Sequence, residues 1–216
     1  MPPQLRIFVP PHPLIQHWLT IARDVHTPVP LFRTALAEMG KWLTYEAVRD
    51  WLPTQDVPID TPLAPTTGKI IDGSVGVALV PILRAGLALL EGCQPLLPMA
   101  RVYHLGMVRD EATLQSSCYL NKLPERFAPN TKVLIVEPML ATGSTILQTL
   151  TMLTERGVDM AEVRIINIIC ATPALQQINA RFPAIQIYAA CIDEEVNEQG
   201  WILPGLGDAG DRSFGT

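Results

Sequence analysis

Apolar positions follow two regimes along the chain. From Phe32 they recur at helical spacing through Leu36, Met39 and Leu43, continue by Ala47 and Val48 to Trp51, and stop at Pro53. That pattern predicts one long helix with a buried stripe. Beyond Val75 the chain alternates short unbroken apolar runs with amphipathic ones. The runs at 75–80, 101–108, 132–136, 163–170 and 185–190 predict strands. Those at 87–91, 146–153 (with Gly157 as terminator) and 173–180 predict helices, and a further short helix fits 14–23. Strands apolar at successive positions, rather than at every second one, are those buried on both faces. The expected fold class is therefore α/β, a central mainly parallel sheet flanked by helices.

Proline qualifies this picture. Its 20 occurrences in 216 residues are about twice the ordinary share, and they gather in 2–13, 28–30, 53–65 and 81–98. Residues 1–66 read as a helical and extended N-terminal extension, with 53–69 an extended connector. Residues 109–124 are polar and read as a hairpin arm, and 192–216 as an irregular glycine-rich tail on one domain spanning 1–216. With 48% hydrophobic residues and a mean hydropathy of +0.23, the chain can close a sizeable core. No apolar stretch approaches the ~20 residues of a membrane span. Met-Pro-Pro-Gln-Leu-Arg precedes no signal-peptide core, so a cytoplasmic location is expected. A net charge of -5 argues against a general nucleic-acid binder. Cys93, Cys118, Cys170 and Cys191 are scattered and read as reduced packed thiols. His12, His17, His26 and His104 lack metal spacing, and the run Asp193-Glu194-Glu195 reads as a solvated face.

In a parallel sheet of this kind ligands bind beyond the carboxyl ends of the strands. The loop after the 132–136 run carries Glu137-Pro138-Met139-Leu140-Ala141 and then Thr142-Gly143-Ser144-Thr145 at a helix start. Free N–H groups at a helix start, flanked by hydroxyls, cradle a phosphate, with about 0.3–2 kcal/mol from the helix end alone. Glu137 would repel a phosphate and is better placed for sugar hydroxyls, so the pair suits a phosphorylated ribose. An ordinary Ser/Thr helix cap is the competing reading. No Walker G-x-x-x-x-G-K-[ST] motif occurs. Gly205-Leu-Gly-Asp-Ala-Gly210 matches a dinucleotide fingerprint, yet only six residues follow, too few for its helix and distal acid.

The strand, the acidic residue and the Thr-Gly helix start resemble the ribose-5-phosphate loop of type I phosphoribosyltransferases. Pro138-Met-Leu-Ala-Thr-Gly143 is similar to the uracil phosphoribosyltransferases in particular. The resemblance extends over nearly the whole chain, through His12-Pro-Leu-Ile-Gln-His17, Thr61-Pro-Leu63, Val80-Pro-Ile-Leu-Arg-Ala-Gly86, Arg109-Asp-Glu111 and Lys122-Leu-Pro124. Its most specific stretch is Leu203-Pro-Gly-Leu-Gly-Asp-Ala-Gly-Asp-Arg-Ser-Phe-Gly-Thr216.

The resemblance implies transfer of a phosphoribosyl group from 5-phosphoribosyl diphosphate to N1 of uracil, giving UMP and diphosphate. Arg84, Arg109, residues 137–145 and Asp208 would hold the donor, with Arg84 and Arg109 as diphosphate clamps. Ile202, Gly207, Asp208 and Ala209 would meet uracil, mostly through main-chain groups. Arg84, Arg109 and Asp208 would be the catalytic residues. Mg²⁺ would be held through substrate diphosphate and water, with Asp208 its candidate protein contact and no direct cage. A homodimer or larger homo-oligomer and a purine nucleotide effector, GTP, are further implications. Three departures stand out: Glu137 where the family usually has Asp, Gly143-Ser144-Thr145 in place of Gly-Gly-Ser, and Ala171-Thr-Pro-Ala-Leu175 in place of Ala-x-Pro-Glu-Gly. They keep open a nucleotide-binding regulator without turnover, or a transferase for another base.

Overall fold

A computed structural model of the chain describes residues 4–109 and 116–216. Strand β1 (Arg6–Phe8) leads to helices α1 (Pro13–Arg23) and α2 (Val29–Val48), then to β2 (Thr54–Asp60) and β3 (Pro65–Ile71). Next come β4 (Val77–Leu83), α3 (Gly86–Cys93), β5 (Arg101–Val102), β6 (Leu105–Arg109) and β7 (Ser116–Asn121). The second half holds β8 (Lys132–Val136), β9 (Met139–Leu140), α4 (Ser144–Glu155), β10 (Val163–Ala171), α5 (Thr172–Arg181) and β11 (Gln186–Asp193). The chain closes with β12 (Glu195–Val196), β13 (Ile202–Leu203) and α6 (Ala209–Phe214).

The main sheet runs β1-β11-β10-β8-β4-β6-β7, with β5 beside β4 and β9 beside β10. Its pairings are parallel except β6 with β7. The apolar runs are explained by burial on both sides. Leu134 and Val136 of β8 face α1, α2 and α3, whereas Val133 and Ile135 face α4 and α5. This is the expected mainly parallel α/β sheet flanked by helices. From β4 the chain moves outward to β6 and β7, then returns across β4 to β8 and continues to β10 and β11. The reversal puts the topological switch point between the carboxyl ends of β4 and β8, where such sheets bind ligands. No helix among the described residues is long and apolar enough to cross a membrane.

Several expectations need correction. The connector at 53–69 is an antiparallel hairpin, β2 with β3, pairing Thr54 with Ile71 through Asp60 with Pro65. All its strand residues except Val57 and Gly68 are exposed, so neither strand shows the alternation that signals a buried face. The strand at 101–108 is split into β5 and β6 around Tyr103, whose N–H donates to the Leu79 carbonyl at 2.9 Å. Helix α2 stops at Val48; Trp51 continued its apolar signal because it packs into the core from the following turn. Strand β4 runs on through Pro81 to Leu83. The tail is not wholly irregular, since β13 pairs with β12 and α6 is capped by Asp208. The edge strand β1 carries too few residues for a periodic signal.

Two features hold the helical face together. Arg164, buried at the start of β10, donates to the Ala47 carbonyl, to Asp50 Oδ1 at 2.8 Å and to the Tyr188 hydroxyl at 3.1 Å. Helices α2 and α3 meet at Gly40 and Gly92. A Cβ on Gly92 would lie 1.8 Å from the Ala37 carbonyl oxygen and 2.8 Å from the Lys41 nitrogen. Gly92→Ala should therefore push the helices apart, costing about 3 kcal/mol or more. Thermal denaturation should show Tm falling by roughly 6–12 °C; an unchanged Tm would place the tight contact elsewhere.

Candidate active site

The switch point is built from three chain segments. The first is the turn from β4 into α3, carrying Arg84. Gly86 is required here by close approach, because a Cβ would sit 2.5 Å from the Val136 carbonyl oxygen, locking this turn against the end of β8. Arg84 is exposed and donates to Asp211 Oδ1 at 2.6 Å and to the Thr216 hydroxyl at 3.2 Å.

The second segment is the loop 137–145. Glu137 leaves β8 with its N–H donating to the Ile166 carbonyl at 3.1 Å, while its own carbonyl accepts from Asn167 Nδ2 at 2.9 Å. The Pro138 carbonyl accepts from the N–H groups of Ile168 and Ile169, and the Thr142 carbonyl accepts from Gln177 Nε2 at 3.0 Å. Strand β10 and helix α5 thus fix the loop. The N-cap of α4 is Gly143 at φ 91°, and no side chain caps the helix. This overturns the ordinary-cap reading: the helix start is left open beside a concavity of about 60 Å³ lined by residues 139–146. Ser144 and Thr145 hydroxyls instead meet the return strand of the arm. Ser116 donates its N–H to Ser144 Oγ at 3.1 Å and shares a 2.7 Å hydrogen bond with Thr145 Oγ1.

The third segment is the tail. Asp208 caps α6 by accepting the Asp211 N–H at 2.8 Å. Ile202 and Ala209 are buried, Gly207 is exposed at φ 80°, and a Cβ on Gly210 would meet Asp208 at 3.1 Å and Ala85 at 3.9 Å. The tail and the Arg84 turn are therefore in contact. A larger cavity of about 480 Å³ lies at the amino ends of β4 and β5, the opposite pole from these loops. Its lining includes none of the residues assigned to donor, base or catalysis.

Arg84, Glu137, the loop and Asp208 lie at the same end of the sheet, with Gly86 against Val136, Arg84 bonded to Asp211 and the charge of Asp208 acting on Glu137. Arg109 ends β6, but its side chain and residues 110–115 of the expected arm lie outside the described residues. On either side of them β6 and β7 pair antiparallel, from Leu105 with Asn121 to Arg109 with Ser116. The four cysteines are free, and burial pushes the Cys93 and Cys170 thiols up to about 12, consistent with packed thiols. Among the described residues no group of three His, Cys, Asp or Glu could hold a metal. One expectation fails: Asp193 is no solvated residue but buried, bound to Arg23 at 2.6 Å. Sequence reasoning also missed Asn167, Gln177 and Ser116. Of these only Asn167, a lone amide in an apolar strand, left a readable mark.

The profile of the family described as uracil phosphoribosyltransferase matches residues 9–216. The chain belongs to the uracil phosphoribosyltransferase family. It is 60% identical over 213 residues to a protein of Nostoc sp. named uracil phosphoribosyltransferase, covering 99% of each chain. A protein of that name from Synechococcus elongatus is 58% identical over 216 residues, covering both chains in full. One from Arabidopsis thaliana, named as chloroplastic, is 52% identical over 213 residues, 99% of this chain and 72% of that protein. Among solved structures, the AQ2163 protein from Aquifex aeolicus matches with a TM-score of 0.88 at 36% identity, covering 96% of this chain and 97% of that one.

Within this uracil phosphoribosyltransferase family member, Glu137 has an unusual proton affinity. Burial pushes its carboxyl up to about 8; the Met139 N–H opposes the shift and the negative charge of Asp208 adds to it. That shift favours the neutral form of Glu137 in the free protein. A carboxyl whose pKa is higher in the folded state stabilises fully below its unfolded value near 4.5 and loses that contribution as pH rises through 8. Replacing Glu137 with Gln should remove this slope. Between pH 5 and 8.5 the variant should gain about 1–3 kcal/mol over the parent in urea unfolding without ligand. Parallel pH profiles for the two proteins would refute the assignment.

Proposed function

We propose that the protein transfers the 5-phosphoribosyl group of 5-phosphoribosyl diphosphate to N1 of uracil, forming UMP and diphosphate in pyrimidine salvage. The observation that carries this reading is the meeting, at one switch point, of an uncapped helix start, an acidic strand end and a glycine-rich tail bonded to Arg84. Supporting it are the family and the relatives' names.

In this reaction the bond from uracil N1 to ribose C1 forms as the bond from C1 to diphosphate oxygen breaks, and the N1 proton is released. The start of α4 seats the 5′-phosphate, because its N–H groups and its dipole both favour an anion. Glu137 meets the ribose hydroxyls; while neutral it can donate as well as accept, and it does not repel the incoming anion. Arg84 binds the departing diphosphate, and Asp211 and Thr216, which engage it in the free protein, are exchanged for phosphate oxygens. Arg109, at the end of β6, is assigned the same role, since a guanidinium suits diphosphate oxygens. Ile202, Gly207 and Ala209 present main-chain groups to the edge of uracil, a geometry suited to a planar ring with alternating donors and acceptors. Catalysis rests on positioning and on neutralising the leaving group, with no covalent nucleophile.

Mg²⁺ fits this site as a substrate-borne ion. It usually binds through one or two carboxylates together with phosphates and retained water, and exposed Asp208 beside Arg84 offers one such carboxylate. When bound it would neutralise diphosphate charge. The chain is proposed to act as one unit over 1–216, in the cytoplasm, and as a homodimer. The hairpin of β2 and β3 supports the dimer: an isolated two-stranded hairpin is marginal in water, and this one exposes Ile59, Ile70 and Leu63.

The assay that tests this reading combines protein, Mg²⁺, 5-phosphoribosyl diphosphate and a panel of bases, with GTP added as the candidate effector, and measures diphosphate release. UMP formation from uracil is expected. Release only with another base, or nucleotide binding with no release, would replace the reading by one of its two rivals. Asp208→Asn should lower kcat about 10²–10³-fold, and Arg84→Met should raise KM for the donor at least ~10-fold. An Asp208→Asn variant as fast as the parent would exclude Asp208 from catalysis. Sedimentation should find a dimer in the parent and a monomer in Ile59→Ser/Ile70→Ser; a monomeric parent would refute the hairpin contact.

A further inference from the structure

The last turn of α1 reaches the tail through an ion pair that touches no residue of the donor loop. Arg23 Nη1 donates to Asp193 Oδ2 at 2.8 Å and to the Gly205 carbonyl at 2.7 Å. Its Nη2 donates to Asp193 Oδ1 at 2.6 Å and to Cys191 Sγ at 3.1 Å. Asp193 Oδ2 in turn accepts the Gly205 N–H at 2.9 Å. Both main-chain polar groups of Gly205 are thus taken by one salt bridge. Asp193 ends β11, so the clamp is anchored in the sheet on one side and in α1 on the other. Gly205 has φ 60°, and a Cβ there would lie 2.2 Å from the Ile202 carbonyl oxygen, so the chain turns back tightly at this point.

Arg212 supplies a second tie. It donates to the Leu206, Ala22 and Asp24 carbonyls, each at 2.6 Å, and its guanidinium lies 4.2 Å from the centre of the Phe32 ring. Gly205 and Leu206, between Ile202 and Gly207, are consequently held from α1 and β11. The loop 137–145 is held separately, by Asn167 and Gln177.

We infer that Arg23 and Asp193 are positioning residues for base recognition, fixing Gly205 so that the main-chain groups of Ile202, Gly207 and Ala209 face the base at one geometry. The inference rests on the proposed uracil reading of the tail. Main-chain donors have no rotamers with which to follow a displaced ligand, and a misplacement of about 1 Å can cost roughly 10²-fold in rate. Burying an ion pair gains little stability by itself, and an apolar pair could fill the same space. An apolar pair could not, however, satisfy both polar groups of Gly205. The clamp therefore matters for where the tail sits, and separate supports for tail and loop mean that breaking it weakens the hold on the base more than that on the donor, whose 5′-phosphate loop is held elsewhere.

The test compares Asp193→Asn, Arg23→Met and Arg23→Lys with the parent, varying uracil and 5-phosphoribosyl diphosphate independently. Asp193→Asn is nearly isosteric, and Arg23→Lys keeps the charge while losing the fork, so at least these two should fold. KM for uracil should rise at least 10-fold in Asp193→Asn and Arg23→Met and less in Arg23→Lys, with the donor KM rising several-fold less in each. Asp50→Asn, which unpairs Arg164 at the opposite pole, should lower Tm and leave both KM values unchanged. Independently of activity, hydrogen exchange at the Gly205 amide should accelerate at least 10-fold in Asp193→Asn, while exchange across 139–146 stays as in the parent. Equal shifts in both KM values, an unchanged uracil KM, or unchanged exchange at Gly205 would overturn the inference. A parent that forms no UMP overturns the proposed function instead, and the exchange result then decides alone whether the ion pair fixes the tail.

Discussion

The parallel pairing of β4 with β8 is the constraint on which the rest of the molecule depends. The chain leaves the carboxyl end of one toward β6 and the carboxyl end of the other toward β10, so no connection crosses the space beyond them. That space receives the Arg84 turn, Glu137 and the tail. Gly86 is pressed against the last carbonyl of β8, which makes the two strand ends one rigid edge. Side chains borne on such an edge keep their spacing without a ligand, whereas side chains on an unsupported loop would have to be ordered on binding.

The site is also electrostatically divided. Burial and the nearby charge of Asp208 both raise the proton affinity of Glu137, while Asp208 stays at the surface. One carboxyl is thereby suited to hydroxyl groups and the other to cations. Of the departures expected from the sequence, Glu137 gains physical content from its raised proton affinity. The neighbouring departure, Ser144, is equally concrete: its hydroxyl accepts from the arm's Ser116 and does not cap the helix.

Legibility in the sequence followed how local each signal is. The strands β8 and β10 were readable because burial on both faces leaves contiguous apolar runs, and the loop 137–145 because acid, glycine and hydroxyls lie within one short stretch. The hairpin of β2 and β3 was not, since it has no inward face to imprint an alternation. Helix α6 was hidden by the glycines around its cap. Asp193 looked like part of a solvated acidic run because its partner lies at the far end of the chain in α1, and no spacing rule links them. The protonation of Glu137 depends on everything packed around it, which no motif encodes.

One consequence concerns how such a pocket can change over evolutionary time. In the proposed reading the base is met by peptide groups of a coil that tolerates no side chain at Gly205. Peptide groups are common to every residue, so exchanging one amino acid for another there cannot swap a donor for an acceptor. A lineage adopting a different nucleobase would have to reroute the coil itself, by gaining or losing residues or by moving its anchors in α1 and β11. Conservatism of ligand choice is in that sense built into the backbone.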